Sequence, residues 1–189
     1  MQLLKDRILS DGLVIGDIVK VGSFLNHQMD IALLQEIGKE FKRRYDGERI
    51  TKILTIESSG IGIAAICAQY FDNVPVVFAK KTKSKNLVGE VLTSKVVSYT
   101  KGTEYDIIVE KCLLSENDRV LVIDDFLAKG QALNGLIDLI QQSGADLAGC
   151  GIVIEKGFQD GGALIRNRGI RVESLAIIEG VSDGKVIFK

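Results

Sequence analysis

The chain has 189 residues, enough for one domain that buries roughly 70 % of its unfolded surface, so no disulfide or metal staple is needed. Its 24 Lys and Arg against 25 Asp and Glu leave a net charge of -1, which excludes a general nucleic-acid binder because no surplus cation faces a phosphate backbone. Cys67, Cys112 and Cys150 are far apart in apolar surroundings and read as buried reduced thiols of a cytoplasmic protein; neither signal peptide nor membrane anchor is expected, since no apolar run approaches the ~18 residues of a bilayer span.

Residues 1–10 read as a short helix and 31–45 as a longer one, with Leu34, Ile37 and Phe41 on one face. Between them "GDIVKVGSFLNHQMD" reads as irregular. Residues 50–56 are a predicted strand, and "ESSGIGIAAICAQYF" turns from it into a helix beginning near Gly60. "VPVVFA", residues 74–79, is a second strand ending in "KKTKSK". Residues 91–109 alternate apolar and polar in two runs split by "TKGTE", the pattern of an antiparallel hairpin with one wet face. The alternation of strand and helix then resumes: residues 120–123, a helix carrying Leu133, Leu136, Ile137 and Ile140, residues 148–155, a further helix, and residues 171–177. This order implies an α/β fold with a parallel sheet flanked by helices, and residues 185–188 add an edge strand. No repeat, low-complexity tract or linker divides the chain, so residues 1–189 form a single domain.

"VLVIDDFLAKGQAL", residues 120–133, places Asp124 and Asp125 where a strand buried on both faces leaves the sheet. In open parallel sheets ligands bind at that end, and the next helix offers unpaired N–H groups. The small residues of the loop Ala128, Lys129, Gly130, Gln131 and Ala132 let backbone amides converge on a phosphate. Carboxylates accept hydrogen bonds from sugar hydroxyls, so the acid pair suits a ribose beside that phosphate. The plainer alternative is an acidic strand end followed by a helix N-terminus that favours negative charge.

This run resembles the phosphoribosyl pyrophosphate signature of the type I phosphoribosyltransferases. "FLNHQMD", "TKILTIESSGI", "VPVVFAKK", "GCGIVIEKGFQ" and "RVESLA" are similar, in that order, to the bacterial xanthine phosphoribosyltransferases. The resemblance implies a small N-terminal hood over about residues 1–30, a flexible β-hairpin flap over about residues 82–108 and a homodimer. It also implies magnesium carried by pyrophosphate and ribose oxygens, with no direct protein ligand. Two departures stand out. Lys129, Gly130, Gln131 and Ala132 replace the threonine, glycine, glycine and threonine of many relatives, so Gln131 and backbone amides take over contacts to the 5'-phosphate. Ala128 stands where hypoxanthine-guanine enzymes carry an aspartate that exchanges a proton with the purine; adenine enzymes resemble this chain in having a small residue there.

By the same resemblance, Glu57, Ser58, Ser59 and Gly60 match the pyrophosphate loop, although alone they read as an ordinary βα turn. Lys80 and Lys81 match basic residues used against pyrophosphate; the plain reading of four lysines in residues 80–85 is a solvated face. Lys156, otherwise a solvent-facing strand terminator, matches a lysine that donates to the purine C6 carbonyl and N7. Phe158 and Phe24 are candidates for stacking on the base or for the core, and Val19 and Asn26 match hood positions that contact xanthine. His27, the single histidine, has no second metal-ligating residue at suitable spacing and takes a structural role.

The expected reaction is transfer of the phosphoribosyl group to xanthine. Hypoxanthine, guanine or adenine enzymes are the alternatives within the class, since only the base pocket separates them. A non-catalytic purine regulator shares the "DDF" run, but carries a winged-helix DNA-binding domain ahead of the fold. The first sheet strand here falls near Ile50, which leaves too little chain for such a domain, and the charge is not basic.

Overall fold

A computed structural model describes residues 1–16, 18–81, 89–98, 103–182 and 184–189. Helix α1 (Gln2–Asp11) leads into a hairpin of β1 (Leu13–Ile15) and β2 (Ile18–Lys20), a single π turn (Gly22–Asn26) and helix α2 (Ile31–Arg44). Asp30 caps α2, its carboxylate accepting from the Leu33 N–H at 3.1 Å, and Lys42, Arg43 and Arg44 complement the helix dipole at the other end. Leu34, Ile37 and Phe41 are fully buried, each removal from water contributing roughly 1.5–3 kcal/mol. The hairpin and π turn replace the irregular segment expected between the helices. With only three residues per strand, the hairpin gives almost no alternation to read.

The central sheet contains β3 (Lys52–Ile56), β4 (Val76–Ala79), β7 (Arg119–Leu127), β8 (Asp146–Lys156), β9 (Val172–Ser182) and β10 (Lys185–Phe188). Their spatial order is β10-β9-β8-β7-β3-β4; all neighbours run parallel except β10, which pairs antiparallel with β9 at the edge. Helices α3 (Ser59–Ala68), α4 (Gln131–Ser143) and α5 (Gly161–Asn167) make the crossovers. The hairpin strands β5 (Val91–Ser98) and β6 (Thr103–Glu110) pair with each other outside this sheet.

One core joins α1, the hood, α2 and α3 to one face of the sheet. The other joins the opposite face to α4 and the hairpin, through Leu92, Val96, Ile107 and Val109. The hairpin is therefore packed along this face. Residues 82–88 and 99–102 of the expected flap lie outside the described residues. A backbone bridge between Lys80 and Ile108, with both N–H···O distances 2.9 Å, ties the hairpin to the end of β4.

From β3 the chain winds outward to β4, and from β7 it winds the other way through β8 and β9. The boundary between β3 and β7 is thus the switch point where open α/β sheets form a ligand crevice. Pairing between these strands stops at Leu54–Val122, whereas β7 stays paired with β8 through Leu127. This corrects the expectation that the strand ends at Ile123: β7 leaves only one neighbour there, and the acid pair lies within it. Cys67 and Cys150 are buried as expected, while Cys112 is exposed, because the 3-10 turn Lys111–Leu113 carries it out of the sheet.

Candidate active site

Where β3 and β7 part, Asp124 faces the turn that starts α3 and Asp125 meets the π turn. Asp124 is 6 % exposed, and its Oδ1 accepts the Asp125 N–H at 3.0 Å. Burial pushes its carboxyl well above the usual range, reinforced by the charge of Asp125 and opposed by the Asp125 N–H and by Lys81. Asp125 is half-buried; Oδ1 accepts the Phe126 N–H at 2.9 Å and Oδ2 accepts from Asn26 Nδ2 at 3.0 Å.

Gly60 closes the gap from the β3 side. A Cβ there would collide with the Thr55 hydroxyl and stand 3.2 Å from Asp124 Oδ1. The Thr55 hydroxyl is fully buried beside these groups and has no hydrogen-bond partner among the described residues. The same turn holds Glu57, whose Oε1 accepts the Lys81 N–H at 2.5 Å, so the β3 and β4 loops are joined. Lys81 is exposed, with Nζ 5.8 Å from the centroid of the Tyr105 ring on β6. Glu57–Gly60, Lys80, Lys81, Asn26 and both acids therefore form one continuous cluster.

A cleft of about 270 Å³ opens on the other side of β7. Residues 128–132 form its floor, Lys156 and Gln159 one wall, and Val96, Val97 and Tyr105 of the hairpin its roof. Gly130 adopts φ +78°, a left-handed conformation that turns the strand sharply into α4 and leaves the first amides of that helix directed at the loop. Burial raises the Tyr105 hydroxyl above its ordinary value, and the charge of Asp124 adds to the rise.

The family profile described as phosphoribosyl transferase domain matches residues 21–162, which include every loop named above. The chain belongs to the phosphoribosyltransferase family. Among relatives of this phosphoribosyltransferase, the xanthine phosphoribosyltransferase of Lachnoclostridium phytofermentans is 63 % identical over 192 aligned residues, covering 100 % of this chain and 98 % of that one. Xanthine phosphoribosyltransferase 1 of Clostridium perfringens is 58 % identical, with 100 % of both chains covered. The crystal structure of the adenine phosphoribosyltransferase of Trypanosoma brucei, in complex with AMP, pyrophosphate and ribose-5-phosphate, superimposes with a TM-score of 0.78 at 20 % identity, covering 96 % of this chain and 83 % of that one. At that identity the likeness establishes the fold: the type I phosphoribosyltransferase arrangement of a central, largely parallel sheet flanked by helices.

Within this phosphoribosyltransferase the structure rearranges some expected base contacts. Phe24 is fully buried in the hood core, with the Arg7 guanidinium 5.4 Å from its ring centroid, so no ring face is open for a base. Val19 is 6 % exposed and packs into the same core. Phe158 is 41 % exposed, two residues beyond Lys156. His27 is exposed at the end of the π turn.

Thr55, Tyr105 and Gln159 had no signal in the sequence: each is a common residue in a strand, a hairpin or a loop. The parting of β3 from β7 sets Thr55 beside Asp124, the hairpin brings Tyr105 to the cleft, and the loop from β8 to α5 brings Gln159 there.

Proposed function

We propose that the chain transfers the 5-phosphoribosyl group from phosphoribosyl pyrophosphate to N9 of xanthine, giving xanthosine 5'-monophosphate and pyrophosphate in purine salvage. The observation that carries this reading is the acid pair standing between two anion-accepting turns, in a chain akin over its whole length to xanthine phosphoribosyltransferases.

Amides of Ala128–Ala132 and the side chain of Gln131 take the 5'-phosphate at the start of α4. Asp124 and Asp125 accept the ribose hydroxyls, and Glu57–Gly60 with Lys80 and Lys81 receive the pyrophosphate. As the bond from C1 to pyrophosphate lengthens, positive charge develops on the sugar above the two acids, which stabilise it from a fixed position. Lys156 donates to the C6 carbonyl and N7 of the base, Phe158 offers a stacking face, and Asn26 offers an amide N–H to the C2 carbonyl. Ala128 cannot exchange a proton, so rate enhancement rests on positioning and charge.

Magnesium fits this donor set. Asp124 and Asp125 would seat the ribose, whose hard oxygens together with those of pyrophosphate would carry the cation, so no protein ligand is assigned to it. When bound, it neutralises charge on the leaving pyrophosphate.

We also infer a homodimer and a cytoplasmic location. The outer edge of β4, with Phe78 and Leu113 exposed beside it, supports the first. The unpaired thiols Cys67, Cys112 and Cys150 support the second. No described helix is long and apolar enough to cross a membrane. The test of the proposed reaction is pyrophosphate release from phosphoribosyl pyrophosphate in the presence of magnesium. Release that depends on added xanthine is expected, and release independent of any base would refute the transfer.

A further inference from the structure

Glu155, the penultimate residue of β8, is 4 % exposed. It receives two parallel hydrogen bonds from Arg166 of α5, Nη1 to Oε1 and Nη2 to Oε2, both at 2.7 Å. Ser174 of β9 donates its hydroxyl to the same Oε2. Burial raises the Glu155 carboxyl, but the Arg166 and Ser174 hydrogen bonds outweigh it and hold the group below its ordinary value, so the pair is ionised.

Nothing in the proposed chemistry uses this fork, yet it borders two working elements. Lys156 follows Glu155 and, by strand alternation, points to the opposite face. The first residues of α5 lie between the fork and the phosphate loop. A Cβ at Gly162 would collide with Glu155 Oε1 and stand 2.7 Å from Arg166 Nη1. A Cβ at Gly161 would collide with the Ala128 carbonyl and stand 2.5 Å from the Gly130 nitrogen. The Gly161 N–H donates to that same carbonyl at 3.1 Å. Two glycines thus bring α5 into backbone contact with the loop on one side and with the ion pair on the other.

We propose that the Glu155–Arg166 pair is a positioning element for the 5'-phosphate loop: it fixes α5, and the Gly161–Gly162 backbone transmits that position to Ala128–Gly130. This rests on the reading of that loop as the 5'-phosphate site. Pyrophosphate is assigned to Glu57–Gly60 on the far side of β7, so it provides an internal control. Arg166 is 37 % exposed and can reach water in Glu155→Ala, whereas Arg166→Met strands the buried Glu155 carboxylate, so Glu155→Ala and the double variant, which removes both charges, carry the comparison.

The experiment measures xanthosine 5'-monophosphate and pyrophosphate affinities for Glu155→Ala, Arg166→Met and the double variant, beside Gly130→Val as a loop control. Each single variant is expected to weaken the nucleotide roughly tenfold, with pyrophosphate unchanged. The double variant is expected to lose little more than either single, because the two residues act as one unit. A fall in both affinities alike, accompanied only by lower melting temperature, assigns the pair to general stability and overturns the inference. If Gly130→Val weakens the nucleotide and the ion-pair variants do not, the inference alone fails. If Gly130→Val also leaves the nucleotide unchanged, the loop assignment fails and takes the inference with it.

Discussion

Asn26 Nδ2 donates to Asp125 Oδ2 at 3.0 Å, so the hood is fastened to the acid pair across 99 residues of sequence. One amide hydrogen is committed to the acid; a second N–H and a carbonyl oxygen remain chemically available to a base edge. The hood and the acid pair are therefore joined through the Asn26 side chain.

Replacing Asn26 should affect both. Asn26→Ala is expected to lower kcat/KM for xanthine more than for hypoxanthine, shrinking the preference by roughly 1–2 kcal/mol, because a buried C2 carbonyl loses its donor. It should also raise KM for phosphoribosyl pyrophosphate as Asp125 loses a partner. Asn26→Asp should be worse, since it sets a like charge against Asp125, and should recover as pH falls. Competition assays with the two bases measure the first effect; an unchanged preference would show that other groups read C2.

The acid pair separates activity from stability. The folded carboxyl of Asp124 titrates above its unfolded value, so the folded state holds more protons over the window between them. Its contribution is therefore lost as pH rises from the ordinary carboxylate range through that raised value. Asp124→Asn should melt no lower than the parent at neutral pH, with a flatter dependence of stability on pH. Turnover should fall, each lost charge-assisted hydrogen bond costing about 1.5–3 kcal/mol. Asp125→Asn should weaken use of the sugar substrate similarly. Thermal melts across pH, run beside kinetics, check both; normal turnover in both variants would remove the ribose assignment.

Lys80 and Lys81 differ in their surroundings. Lys80 is half-buried, with its backbone bridged to Ile108, whereas Lys81 is exposed near Tyr105. Changing both to alanine should raise KM for phosphoribosyl pyrophosphate and leave xanthosine 5'-monophosphate binding nearly intact, since the nucleotide lacks pyrophosphate. Equal weakening of both ligands, read by titration, would contradict this division.

Much of this arrangement was legible because hydrophobic period and turn chemistry agree. Strands β3 and β8, helices α2 and α4 and the β5–β6 hairpin all follow from apolar spacing. The full length of β7 did not, because Asp124 and Asp125 are poor strand formers and only pairing with β8 keeps them extended. The acids themselves were visible at a strand end beside a small-residue loop. Phe24 shows the limit: an aromatic in a hood reads the same whether it faces a ligand or the core, and packing against Arg7 decides it. The Glu155–Arg166 fork was equally silent, since its partners sit on different elements.

On the proposed reading Lys156 contacts the C6 side, which xanthine, hypoxanthine and guanine share. Lys156→Ala should therefore lower kcat/KM for all three together, by roughly 1.5–3 kcal/mol, and leave their ranking unchanged. A selective loss for one base, measured by initial rates, would place the discriminating contact at this lysine.

The most direct measurement supplies the protein with magnesium, phosphoribosyl pyrophosphate and, in separate reactions, xanthine, hypoxanthine, guanine and adenine, and identifies the nucleotide by mass and its kcat/KM. Xanthosine 5'-monophosphate is expected with the highest kcat/KM. Adenine as the preferred base, or no nucleotide from any of the four, would contradict the assignment.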